Sequence, residues 1–127
     1  MTHSEARLAL RPDLSHLKTS GSSEHEIFQN SVLRPIIKMQ HFHLLKLAEG
    51  NENVGGLKRK AKNEEHYKVL VIDFLKKNAP LKNQIIGMII GHFTEEEWQS
   101  YALAKSEYNK RILQISGERI GGASYVS

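Results

Sequence analysis

Apolar residues recur at helical spacing from about residue 23 to residue 120. Ile27, Phe28, Val32, Leu33, Ile36, Ile37, Met39, Leu44, Leu45 and Leu47 carry a first helix to about Ala48. They spread over more than one face, which predicts extensive burial. Ser23 and Glu26 open it with the spacing of a capping box. Pro35 interrupts it. A proline ring removes the hydrogen bond to the carbonyl four residues back and pushes Arg34 out of helical geometry, so the helix either kinks or begins anew there. Residues 49–56 are rich in Gly and Asn and read as a loop. A second helix is predicted over about 57–77, where Leu57, Ala61, Tyr67, Leu70, Val71, Phe74 and Leu75 fall at three- and four-residue spacing.

The chain is organised around residues 85–101. Ile85, Ile86, Met88, Ile89 and Ile90 form the most apolar run, in a third helix over about 81–90 with Pro80 suited to its first turn. Gly91, His92 and Phe93 make a corner. Thr94 then opens a fourth helix, about 95–120, as the N-cap of a capping box with Glu97. Glu95 and Glu96 add negative charge where the helix dipole favours it. Trp98, Tyr101, Ala102, Lys105, Tyr108, Ile112, Ile115 and Ile120 trace its stripe. Gly87 and Gly91 share a helix face, a spacing that serves a close helix crossing or a helix end. Gly121 and Gly122 are expected to stop the last helix.

These elements predict an all-α, four-helix bundle-like single domain over 23–120. A flexible N-terminal arm, 1–22, precedes it, and a disordered tail, 121–127, follows. Leu8, Leu10, Leu14 and Leu17 give the arm a means of resting on the body. The β-compatible runs Val69–Ile72 and Ile85–Ile90 lie within helical stripes, so strands are not expected.

The length, 127 residues, suits one domain with its own core. There is no cysteine, which excludes disulfides, a thiolate nucleophile and cysteine metal sites. The net charge is +4, an excess that Lys58, Arg59, Lys60 and Lys62 alone account for. No stretch approaches the ~18 apolar residues of a membrane span, and the N-terminus lacks the pattern of a signal peptide. A cytoplasmic protein with no membrane partner is expected.

Candidate chemistry is sparse. No Glu is followed by His three residues later, no His-Glu-x-x-His occurs, and His41 and His43 point to different helix faces. No metal and no cofactor are therefore expected. Phosphate loops, dinucleotide fingerprints and nucleophile elbows are absent. Asn30, Arg34 and Lys38 stand four residues apart on one helix face. With Tyr101 and Arg111 they compose a candidate ligand-binding set for a small anion, since arginine binds carboxylate or phosphate bidentately. The competing reading is a network of hydrogen bonds and salt bridges between helices. His92 and Glu97 are candidates for acid–base catalysis beside that set. Lys58, Arg59, Lys60 and Lys62 offer a nucleic-acid surface as a minor alternative, with no aromatic residue interleaved for stacking.

Phe28-Gln29-Asn30, Val32-Leu33-Arg34-Pro35-Ile36, Lys38, Gln40, residues 87–91, Phe93-Thr94, Glu96-Glu97, Tyr101 and Asn109-Lys110-Arg111 resemble a small, uncharacterised, all-helical bacterial family of Bacteroidetes type. The resemblance spans about residues 23–120. It implies the helical fold and a shared polar set. Some members carry the label glyoxalase, which implies a lyase-type activity. The metal-dependent glyoxalases use paired βαβββ modules with His and Glu ligands, and this sequence has no such modules.

The function expected is that of a homo-oligomeric interaction or structural module. A homodimer through the third and fourth helices follows from Ile85–Ile90 and the Trp98, Tyr101 and Tyr108 stripe, more apolar surface than one small bundle easily hides. The alternatives are an anion-accepting binder or enzyme, and nucleic-acid binding through the lysine patch.

Overall fold

The computed structural model describes residues 2–11 and 23–125. Every regular element among them is helical. In chain order they are α1 (His3–Ala9), α2 (Glu24–Phe28), a π-helical turn (Gln29–Leu33), α3 (Arg34–Met39), α4 (His41–Glu49), α5 (Glu52–Lys60), α6 (Glu64–Lys77), α7 (Ala79–Ile90), α8 (Glu95–Ala102) and α9 (Lys105–Tyr125). The all-α class is as predicted. Three of the four expected helices are subdivided, and the third is the single helix α7.

In the first, the Ser23 hydroxyl accepts from the Glu26 N–H at 3.2 Å and starts α2. At Pro35 the helix begins anew, out of a π turn. The Arg34 N–H reaches back five residues to the Gln29 carbonyl. The wider π turn takes up the clash that a proline ring makes with a regular helical turn. Pro35 then sits in the first turn of α3.

The second expected helix is two. Asn63 accepts from the His66 N–H at 2.8 Å and caps α6. Asn51 caps α5, so most of the expected loop 49–56 is helix. Lys58, Arg59 and Lys60 consequently close α5 instead of opening a helix. Cations are favoured at that end of the dipole.

The fourth divides at Leu103 and Ala104 into α8 and α9. The Thr94–Glu97 capping box forms as predicted. The expected stop at Gly121 and Gly122 does not occur, because α9 continues to Tyr125. Here glycine serves packing. A Cβ on Gly117 would lie 2.5 Å from Ile72 Cγ1, and one on Gly121 would lie 2.8 Å from Lys68 Cγ. These two residues, four apart on α9, let α6 lie against it. Gly87 meets nothing within 4 Å, so the close crossing uses Gly117 and Gly121 and not Gly87.

Leu33, Ile36, Ile37, Leu44, Val71, Leu75, Ile85, Ile89 and Ile112 are fully buried in one cluster. Phe28, Phe93, Tyr101 and Tyr108 extend it towards the corner between α7 and α8, with Phe28 and Tyr108 at 4.4 Å and Phe93 and Tyr101 at 5.4 Å between ring centroids. Ile85, Ile86 and Ile89 are therefore buried within one chain. Met88 and Ile90 of the same run are half-buried. On α1 the expected leucine contacts are not made. Leu8 and Leu10 are exposed, and α1 buries no residue. Leu14, Leu17 and the rest of 12–22 lie outside the described residues, as do 126 and 127.

Candidate functional site

Two polar assemblies stand out, and the sequence-predicted residues divide between them. The first is the corner between α7 and α8. The α7 C-terminus leaves carbonyls without helical partners, and α1 brings arginines to them. Arg7 donates to the Gly91 carbonyl. Arg11 donates to the His92 carbonyl at 2.7 Å and to both Glu97 oxygens at 2.6 Å. Glu97 also accepts from the Thr94 N–H at 2.8 Å within the capping box. Burial alone would raise the Glu97 pKa, but the bonds from Arg11 and Thr94 outweigh it and hold the carboxyl below its ordinary range.

His92 Nε2 lies 2.6 Å from Gln40 Nε2. This hydrogen bond fixes the ring against Gln40. Burial, then the charges of Arg7 and Arg11, lower the His92 pKa from its ordinary value. No hydrogen bond among the described residues joins His92 to Glu97. A carboxylate held by a guanidinium and a backbone N–H, beside a ring fixed by an amide, forms a clasp for the α1 segment.

The second assembly is a groove of about 360 Å³ lined by Arg34, His41, Ile115, Glu118, Arg119, Gly122 and Ala123. The π turn and Pro35 place Arg34 at the head of α3, where its Nε donates to Asn30 Oδ1 at 3.0 Å. α4 brings His41, and α9 brings Arg119 from below. Arg119 Nη1 meets His41 Nδ1 at 3.1 Å. Guanidinium groups only donate, so Nδ1 accepts. Neither Arg34 nor Arg119 has a carboxylate within ion-pair distance among the described residues. Glu118, the acid in the wall, accepts from Gln114 instead. Burial and then the nearby charge of Arg34 lower the Arg119 pKa. Two guanidinium groups and an imidazole thus line a concave surface, and neither guanidinium has an ion-pair partner among the described residues.

The other predicted residues fall elsewhere. Lys38 is exposed on α3. Arg111 is held by Glu107 at 2.8 Å and by Gln29 at 2.9 Å, a bridge from α9 to the π turn. The Tyr101 hydroxyl donates to Asn109 Oδ1, and burial raises its pKa against the pull of that bond. The expected five-residue ligand set therefore contributes Arg34 to the groove, with Asn30 bonded to it from outside the lining. His41 and Arg119, its other cationic or cation-forming members, were not among the residues singled out for a ligand. Lys58 Nζ lies 5.9 Å from the Tyr125 ring and donates to the Ser124 carbonyl at 3.2 Å. Arg59, Lys60 and Lys62 are exposed around the end of α5.

No group of three or more His, Asp or Glu side chains among the described residues is placed to hold a metal ion. No described helix is long and apolar enough to cross a membrane. No protein-family model matches the chain, and comparison with curated proteins and with solved structures returns no match.

Proposed function

We propose that this protein binds a small anionic ligand, a carboxylate or phosphate, in the groove between α3, α4 and α9. One observation carries the reading: Arg34 and Arg119 line the same groove, and no carboxylate among the described residues pairs with either. Guanidinium groups hold carboxylate and phosphate oxygens through paired bonds. An anion between them offsets their mutual repulsion, and His41 lines the same groove. The reading is one of binding, because His92 and Glu97 are engaged in the clasp around α1. Titration with inorganic phosphate and with succinate, followed by calorimetry, tests it. Binding of either that falls at least tenfold in Arg119→Gln supports the reading. Absence of binding for both, or binding indifferent to Arg34→Gln and Arg119→Gln, refutes it.

A second reading, a homo-oligomeric interaction module, draws on α8. Trp98, midway along that helix, is 41% exposed, and Leu103, its C-cap, is 89% exposed. Light scattering on the purified chain decides this. A dimer converted to monomer by Leu103→Lys supports it, and a monomer at all concentrations removes it.

A further inference from the structure

A third polar region is separate from both assemblies. A cavity of about 550 Å³ lies where the end of α6 meets the beginnings of α7 and α9. Its lining is Lys76, Lys82, Ser106, Asn109, Lys110 and Leu113. It contains three ammonium groups and no carboxylate. None of the three lysines forms an ion pair among the described residues. The neighbouring acids are committed to other cations: Asp73 to Lys77 at 3.0 Å, and Glu107 to Arg111 at 2.8 Å.

Asn109 adds an independent indication. The Tyr101 hydroxyl donates to Asn109 Oδ1 from the core side. That bond fixes the amide and leaves its nitrogen, with two N–H groups, as a donor that makes no other bond among the described residues. Ser106 supplies a hydroxyl on the same wall. Every polar group around the cavity can therefore donate to an anion, and one of them is oriented by a buried tyrosine.

We infer that this cavity binds a compact anion bearing two or more phosphoryl groups. Lysine presents a hydrated point charge without the planar fork of arginine, and it suits phosphate oxygens from several directions. Three such charges on one lining, none ion-paired among the described residues, suit a ligand carrying several negative charges. The volume lies within the range of small-molecule sites, about 300–1,000 Å³. Leu113 is the only apolar lining residue and no aromatic side chain is present. A nucleobase would find nothing to stack on, so recognition here is of phosphate charge and not of a base.

Calorimetric titration with inorganic pyrophosphate and tripolyphosphate, at low and at moderate salt, tests this. The expected result is binding of both, tighter for tripolyphosphate, weakened by salt, and reduced about fivefold by each of Lys82→Gln and Lys110→Gln. Arg119→Gln should leave it unchanged, which separates this site from the groove between α3, α4 and α9. The lysines are at the surface, and a circular-dichroism melt checks that each variant stays folded. The inference is overturned if neither polyphosphate binds at millimolar concentration. It is equally overturned if binding survives Lys82→Gln/Lys110→Gln, or if a single-stranded oligonucleotide binds and pyrophosphate does not displace it.

Discussion

Arg11 and Glu97, 86 residues apart in the sequence, meet through two hydrogen bonds of 2.6 Å. The side chains are 6% and 14% exposed. α1 buries none of its own residues, so this pair and the bond from Arg7 to Gly91 form its attachment to the body. Arg11 Nε is buried without a partner, which makes the pair the more dependent on Glu97. Removing one member of a buried ion pair leaves the other charge uncompensated and costs about 3 kcal/mol. Arg11→Ala and Glu97→Gln should each lower stability by that order in urea unfolding. The double variant should lose less than the sum of the two. Additive losses would mean that the two residues are not coupled.

Stability should fall in two stages on acidification. His92 has a folded pKa below its ordinary value of 6.5. The unfolded chain therefore binds the proton first, and stability declines as pH drops below about 6.5. Glu97 also has a lowered folded pKa, below its ordinary 4.5. Its contribution is present above that value and is lost as pH falls through the depressed one. Urea midpoints measured from pH 8 to pH 3 should show both declines. His92→Gln should remove the first and leave the second.

Two helical glycines should respond to alanine in opposite directions. At Gly117 the new Cβ would press on Ile72, at 2.5 Å from Cγ1 and 3.1 Å from Cα. Overpacking of this kind costs about 1–3 kcal/mol. At Gly87 the space is open, so alanine should stabilise by about 0.5–1 kcal/mol through helix propensity. Thermal melts of the two variants should move apart. A neutral Gly117→Ala would show that α6 and α9 are less closely packed than this.

Ser116 is fully buried on α9, and its Oγ has no hydrogen-bond partner. An unsatisfied buried hydroxyl opposes folding, and alanine is the better helix former. Ser116→Ala should therefore raise stability by about 1 kcal/mol, read from urea unfolding. A loss of stability would point to a bond made by that hydroxyl.

Much of the helical pattern was legible. The Thr94–Glu97 capping box was readable because its spacing alone satisfies it. The breaks at Asn51 and Asn63 were readable in principle, since both are good cap residues, but the stripe through Leu57 and Ala61 masked the second. The crossing of α6 and α9 had a visible signal in Gly117 and Gly121, four apart. Gly87 and Gly91 carry the same signal, and spacing cannot say which pair faces a neighbour. The groove was half legible. Arg34 and its partner Asn30 stood out by spacing, whereas Arg119 and His41 come from distant segments and carry no motif.

By itself the sequence determined what depends on near neighbours: the helical class, the caps, the buried stripes and the absence of cysteine chemistry. Those follow from local hydrogen bonding and from the period of apolar residues. Only the tertiary structure decided which charges are paired. Arg11 and Glu97 engage each other across 86 residues, while Arg34 and Arg119 share a groove with no carboxylate partner among the described residues. Pairing of that kind depends on distances of a few ångströms between segments far apart in the chain, and those distances exist only once the helices have packed.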